Sequence, residues 1–404
     1  MNAITVFVSI TVLIIFLLLL ENSSIFSMAN NTLLAQQNIQ DEDTFDNEMD
    51  NCINYDEDEK LITITCPYPT NLTDIYNKLQ NPDLLKVENE SKDFKKTWML
   101  NSAILIENGS TFVIDNTDTK WLKILVGDKA DNDDRNNKKA AHSILVLGNL
   151  VIDSVKISSW DPQSSDYVKF EFEILPDRER EHTGIDAVPR PYIRIDDETT
   201  GTTNITNSEI AYLGYECGGG CSGISYYGNN GTSVIKNNEI HHNRFGFYSV
   251  GVGNMLLEDN HVHHNFMYGF DPHTATHDMI IRNNTVHDHG AMGIICSLDC
   301  YNIIIEDNEV YNSAGSGIMF SRNMYDSVAR NNNVHDEVKC IFLSQSHNNE
   351  VYNNTVSNCE SQGIYLYHNS VENKVYNNTL INATEGIEFS DDSLDNIVED
   401  NIIQ

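Results

Sequence analysis

"MIIRNNTV" (residues 279–286) and "NIIIEDNEV" (302–310) share one short pattern: apolar residues, a pair drawn from Asn and Asp, a polar residue and a valine. Their apolar positions alternate with period two, and β-branched residues dominate, so each is a strand interrupted by a sharp corner and not a helix. The pattern returns as "KNNEIHHN", "EDNHVHHN", "RNNTVHDH", "EDNEVYNS", "RNNNVHDE", "YNNTVSNC", "YNNTLINA" and "EDNII". The second Asn falls at 238, 260, 284, 308, 332, 354, 378 and 401, with spacings of 22, 24, 24, 24, 22, 24 and 23. A second column holds the same period: Gly223, Gly246, Gly269, Gly293, Gly317, Cys340, Gly363 and Gly386. Such a repeat, with three short strands per turn, predicts an all-β chain wound as a parallel β-helix of 22–24 residues per coil. The recurrent Asn is expected to stack on itself at one corner, bonding along the column and adopting the left-handed corner geometry. It is assigned to fold.

The columns place side chains. After the Gly, residues one and three further on are mostly apolar and point inward; residues two and four further on point outward. The outward columns hold Tyr248, Asp271, Ile295, Met319 and Phe342, and Tyr227, Val250, His273, Ser297 and Ser321. Asp271 and His273 therefore share one exposed face of one coil, with Tyr248 a coil before. Arg322 lies two coils after Thr274, about 10 Å along the axis at the usual strand spacing, a gap that its long stem partly closes. Pro272 points inward and denies the ladder a donor, an exception confined to one coil. With Tyr268, these residues outline a groove for an extended polymer. Nine of the 14 histidines fall between His241 and His289. Most sit beside the Asn corner, where they are expected to be polar turn residues and not metal ligands.

The remaining chain sets bounds. Residues 3–20 form a charge-free apolar run of 18, preceded by no Lys or Arg. It predicts export, with residues 1–28 as a signal peptide or membrane anchor and a secreted or cell-surface location. Residues 29–50 are expected to be a disordered acidic linker, 51–94 an N-terminal cap with one short helix in "TNLTDIYNKLQ", and 95–404 the β-helix. "PDREREHTGIDAVPRPYIRI" (176–195) must leave the regular path. Eight cysteines fall in four local pairs, Cys52/Cys66, Cys217/Cys221, Cys296/Cys300 and Cys340/Cys359, which read as disulfides in an oxidising compartment. A zinc site at Cys217 and Cys221 lacks a second nearby pair of ligands. The net charge of −35 argues against nucleic acid as a partner, and a polyanionic substrate requires the groove to be less acidic than the rest.

"YGFDPH" (268–273) closely resembles the signature of the mannuronan C5-epimerases, right-handed β-helix enzymes that convert mannuronate to guluronate in alginate. "VKISSWD", "RPYIRI", "NSEIAYLGY", "SGISY", "FGFYS" and "SGIMFSRN" resemble successive stretches of the periplasmic type, in the same order. The resemblance implies a right-handed parallel β-helix. It makes His273 the base, Tyr268 the opposing acid and Asp271 a supporting carboxyl. Arg322 completes the catalytic set, and Arg194, Tyr227, Tyr248, Ser297 and Lys339 are the candidate substrate-binding residues. The chain departs from the family at Thr274, where an acidic residue is usual, and in "CSLDC", where Leu298 replaces an arginine that neutralises the substrate carboxylate. Ser297 is the nearest match to an Asp of the calcium-dependent secreted type. The expected protein is a monomer acting on an anionic polysaccharide, requiring no cofactor, with calcium as the alternative neutraliser. A lyase would use the same base and neutraliser, and a non-catalytic glycan-binding β-helix is the third reading.

Overall fold

The computed structural model describes residues 51–126, 142–169, 188–217, 220–228 and 231–404. The apolar run at 3–20, the acidic segment 29–50 and most of the 176–195 excursion lie outside the described residues. Within Cys52–Gln404 the chain winds into three sheets of 13, 12 and 13 strands, in which the inner strands are bonded to their counterparts one coil earlier and one coil later. This is a right-handed parallel β-helix.

Apart from one isolated antiparallel bridge between Asp161 and Asp166, pairing between strands is parallel except at the N-terminal end. There Ile53–Asp56 runs antiparallel to Leu61–Ile64, and Leu85–Glu90 antiparallel to Lys96–Leu100. Leu61–Ile64 already pairs in parallel with Ala103–Ile106, so residues 51–94 contribute both a cover and a first coil. The helix Leu72–Leu79 is started by Asn71, whose side chain accepts from the Asp74 N–H while Asp74 accepts from the Asn71 N–H. Leu72 and Ile75 of this helix are buried against the end of the stack. The other end differs: Phe389, Leu394, Ile397, Ile402 and Ile403 are exposed on the last coil.

Inward residues form rows. Ile205, Ile235, Leu257, Ile281, Ile305, Ala329, Val351 and Val375 follow one another in register through the second sheet, all fully buried. Each buried aliphatic side chain contributes about 1.5–3 kcal/mol, and the row fixes register because a one-residue slip would turn every member outward.

The Asn column forms the expected ladder. The amide of Asn238 donates to Asn260, Asn260 to Asn284, Asn284 to Asn308, Asn308 to Asn332, Asn332 to Asn354, Asn354 to Asn378 and Asn378 to Asn401, at 2.9–3.0 Å. The left-handed conformation falls one residue earlier than expected, on Asn237, Asp259, Asn283, Asp307, Asn331, Asn353, Asn377 and Asp400. The exposed first residue of each pair makes the corner, which frees the second to turn inward and satisfy buried backbone groups. The Gly column has a steric cause: a Cβ on Gly269 would stand 2.5 Å from the Gly293 carbonyl oxygen of the next coil.

Three of the four cysteine pairs are disulfides: Cys52–Cys66, Cys217–Cys221 and Cys340–Cys359. The disulfide expected at Cys296/Cys300 is absent, and both thiols are buried and free. Both belong to the buried core, and the Cys300 thiol donates to the Ser297 carbonyl at 3.2 Å. The Cys217–Cys221 bond removes the zinc alternative. Among the described residues, no helix is long and apolar enough to cross a membrane.

Candidate functional site

The strand Phe270–His273 lies in the first sheet between Phe245–Val250 and Ile294–Ser297. Its register sets Asp271 beside Tyr248 and His273 beside Val250 on one side, and His273 beside Ser297 on the other. Pro272 faces inward, as expected from the pleat.

Arg322 closes the two-coil gap completely. Its Nε and Nη2 donate to Ser297 Oγ at 2.9 and 2.6 Å, and Nη2 reaches His273 Nε2 at 3.1 Å. A guanidinium can only donate, so His273 Nε2 is the acceptor and carries no proton. The neutral ring then holds its proton on Nδ1, which donates to Thr274 Oγ1 at 2.6 Å. Thr274 thus orients the imidazole without adding negative charge. Burial, and secondarily the Arg322 charge, hold the His273 imidazolium below its usual range. His273 is half-buried and Arg322 exposed. The backbone of Arg322 is left-handed, as are Leu298 and Thr274 at the equivalent corner one and two coils earlier, and this corner aims the arginine stem back along the axis.

Asp271 departs from expectation. It points to the groove side of the sheet but is only 2% exposed, set between Tyr248 and Ile295. Its Oδ1 is buried with no hydrogen-bond partner. Burial raises its carboxyl well above the ordinary range, against the opposing pull of Arg322 and Arg244. It therefore lies beneath the groove floor and not on the exposed face where it was expected. Arg244 went unnoticed in the sequence, where "HHNRFGFYS" gave it no column of its own. Its guanidinium stands over Phe245 at 4.6 Å and pairs with Glu216.

Aromatic rings line the groove. Tyr248 tilts against His273 with ring centroids 5.7 Å apart, and Tyr227 lies 6.1 Å from Tyr248. Burial pushes the hydroxyls of both upward, Tyr227 to about 12, so both remain protonated donors. Tyr268 packs on Phe245 at 5.2 Å, and Phe245 on Tyr248 at 5.6 Å. Tyr248, His273, Ser297 and Arg322 thus form one contiguous cluster, and Tyr268 joins it through Phe245.

Arg194 and Lys339 lie further out, each three coils from His273, or about 14 Å at the usual strand spacing. Arg194 is bound to Asp196 by two bonds of 3.0 Å and rests over the Tyr227 ring at 4.4 Å. Lys339 stands 5.5 Å over the Phe342 ring, beside the stacked Tyr365.

Fold and groove define a parallel β-helix protein whose outer sheet face carries an imidazole, a guanidinium and phenols in one line. The family model described as "Periplasmic copper-binding protein (NosD)" matches residues 201–402, and the chain belongs to this NosD family. Comparison with curated protein sequences gives no match. Among solved structures, the chain is similar to the periplasmic alginate epimerase AlgG, at 21% identity and a TM-score of 0.69, over 85% of each chain. The A-module of the mannuronan C-5 epimerase AlgE4 of Azotobacter vinelandii aligns at 13% identity and a TM-score of 0.49, over 83% of this chain and 86% of that one. The likeness to AlgG shows a common fold.

Proposed function

We propose that the chain is an extracytoplasmic polysaccharide-modifying enzyme that epimerises C5 of uronate residues in an alginate-like polymer. The carrying observation is the 3.1 Å contact between Arg322 Nη2 and the unprotonated Nε2 of His273. Removing a proton α to a carboxylate requires a base of suitable pKa and a cation that neutralises the carboxylate. Here the two are in contact before substrate arrives. With Leu298 in place of the family arginine, Arg322 supplies that cation from one coil further on, held by Ser297.

The contact also suggests the order of events. While Arg322 caps Nε2, the base is masked. A substrate carboxylate, carrying a full negative charge and able to pair with the guanidinium through two bonds, outcompetes the neutral imidazole and so exposes the lone pair. Nε2 then takes the C5 proton, leaving an enediolate paired with Arg322. A hydroxyl on the opposite face gives a proton to C5 and regains one from solvent, and the imidazolium loses its own to solvent. Tyr268 is the donor that the YGFDPH resemblance implies; Tyr248, tilted against His273, is the second candidate. Arg194, Tyr227 and Lys339 would hold neighbouring sugars, and no metal is needed in this scheme. The three disulfides support an oxidising, extracytoplasmic setting.

Incubating the protein with polymannuronate in D2O tests the proposal by proton NMR and ultraviolet absorbance. New guluronate signals with deuterium at C5 and no absorbance are expected. Rising absorbance from unsaturated ends would replace the epimerase with a lyase, and neither signal would leave a glycan-binding role. Substituting Tyr248→Phe and Tyr268→Phe separately identifies the proton donor by the larger loss of turnover.

A further inference from the structure

Away from the His273 cluster, the third sheet repeats itself and the first sheet changes along its length. On the third sheet, His241, His263 and His287 end the strands Glu239–His241, His261–His263 and Thr285–His287, which corrects their expected place in turns. Their rings stack coil on coil at 4.9 and 5.3 Å. The residue after each, His242, His264 or Asp288, is left-handed and sets a second side chain beside the first.

The groove of the first sheet is not uniform in charge. Counted from His273, its cations are Arg194 three coils before, Arg322 two coils after and Lys339 three coils after. The next two strands of this sheet are Gln362–Tyr367 and Glu385–Phe389. From Gln362 to His368 and from Glu385 to Asp392 there is no Lys or Arg. Aromatic rings take over instead. Phe342 lies 5.6 Å from Tyr365 and 6.1 Å from Tyr367, and the two tyrosines lie 5.4 Å apart. Register sets Phe342 beside Tyr365 and Tyr365 beside Glu388, in the same outward column that holds Tyr248. Tyr367 is 44% exposed, and Phe342, Tyr365 and Glu388 are half-buried. The Gln362 amide donates to Glu388 Oε2 at 2.8 Å, which holds the carboxylate in place with acceptor capacity to spare.

This end of the groove suits hydroxyls and not carboxylates. A uronate brought here meets Glu388, with Glu385, Asp391 and Asp392 on the same coil, and finds no cation to offset the repulsion. In a partly desolvated groove that repulsion is screened less than in open water. An uncharged pyranose meets no such penalty. Its C–H surface packs on the phenol rings, and its hydroxyls donate to Glu388.

We propose that Phe342, Tyr365, Tyr367 and Glu388 form a subsite for an uncharged hexopyranose at the end of the groove beyond Lys339. The strand bound in the groove then carries uronates between Arg194 and Lys339 and an uncharged sugar four to five coils from His273: an alginate-like run interrupted by a neutral hexose. The uronate half of this statement rests on the function proposed above; the subsite does not.

The test uses β-1,4-linked mannohexaose and cellohexaose as uncharged probes and β-1,4-linked hexamannuronate, which differs from mannohexaose at C6 only. Each is titrated into the full-length protein and followed by calorimetry and saturation-transfer NMR. Saturable binding of an uncharged probe is expected, weakened about 10-fold by Tyr365→Ala and by Tyr367→Ala, the loss of one aromatic contact. Hexamannuronate binding should be unchanged in both variants. Glu388→Lys should weaken the uncharged probe and strengthen hexamannuronate, a reversal that a merely structural role would not produce. Circular dichroism guards against unfolding, and the exposed Tyr367 can be replaced without disturbing the core. Binding is read without turnover, so a protein that fails to epimerise yet holds an uncharged probe through Tyr367 keeps the subsite and loses the uronate reading alone. No saturable binding of either uncharged probe, equal affinity in the folded tyrosine variants, or loss of hexamannuronate binding in them would overturn the subsite.

Discussion

The same coils build two unlike surfaces. On the third sheet, chemistry arises by repetition: one residue type recurs at one column, and stacking brings like against like. On the first sheet it arises by exception: Asp271, Pro272 and His273 each break the habit of their column, and Arg322 reaches across two coils to complete them. A solenoid gives rows without effort, because every column is in register. A cluster of unlike groups must be assembled from departures. In such a fold the irregular coil marks the candidate site, whereas the regular row marks the repeat that holds the stack together.

The comparison breaks most easily at His273. His273→Ala should lower turnover by about 10²–10⁴-fold, the usual contribution of a general base, and leave the fold intact because the side chain is half-buried and outside the core rows. Rates from guluronate NMR signals, with circular dichroism as control, check it. Retained turnover would make the exceptional coil as inert as any other.

Next comes the bridging arginine. Arg322→Ala should cost about 10²–10³-fold in kcat, as expected for loss of one charge-stabilising group. It should also move the imidazole titration. The Arg322 charge disfavours the imidazolium, so its removal raises the His273 pKa toward the ordinary 6.5 or so and shifts the acid limb of the rate profile upward with it. Nitrogen-15 NMR of the ring reads this directly. An unmoved titration would mean the contact is not held in solution.

A row should fail differently. Asn308→Ala removes one ladder member, leaving Asn284 Nδ2 without its acceptor and Asn332 Oδ1 without its side-chain donor. Destabilisation of about 1–3 kcal/mol follows from the unmet buried groups. Asn401→Ala, at the last coil, orphans one neighbour only and should cost less. Denaturant unfolding of the two variants measures the difference; equal losses would mean that the ladder adds nothing beyond each local bond.

The smallest effect sharpens the contrast from the groove side. Folded Asp271 keeps its proton to higher pH than the unfolded chain, whose carboxyl titrates near about 3.9. The folded state therefore holds the extra proton across that window, and stability is lost as pH rises through the raised value. Asp271→Asn should raise Tm, with a larger gain at pH 8 than at pH 4, amounting to about 1–2 kcal/mol for a buried carboxyl with one unmet oxygen. A pH-independent change would place the cost of this residue elsewhere.

Much of the architecture was legible because period and pleat are properties of a single chain. The Asn and Gly columns located the coils, and counting from each Gly put Tyr248, His273 and Ser297 on the right face. What a column cannot carry is what covers it. Asp271 follows the outward phase yet is closed over, since burial depends on the neighbouring coils. The histidine rows were misplaced for a local reason: the left-handed residue falls after the strand end, so adjacent side chains lie together, and a period of two does not reveal that. Cys296 and Cys300 are close in sequence and share the buried core, but spacing alone does not say whether two thiols are joined, and here the Cys300 thiol donates to the Ser297 carbonyl. Arg322 looked short of reach because the axial count ignored how its corner aims the stem.

The ladder of Asn residues makes length a matter of whole numbers. A segment running from one ladder Asn to the next can be gained or lost with every remaining rung still joined, whereas a partial turn cannot. The separation of His273 from Arg322 is therefore counted and not tuned. It is two coils, and that is the span the arginine bridges. Gain of one coil between them would move the guanidinium about 4.8 Å away and part the pair while leaving the fold sound. The chain could thus gain whole coils on either side of the pair, but between these two residues it has a fixed tally to keep.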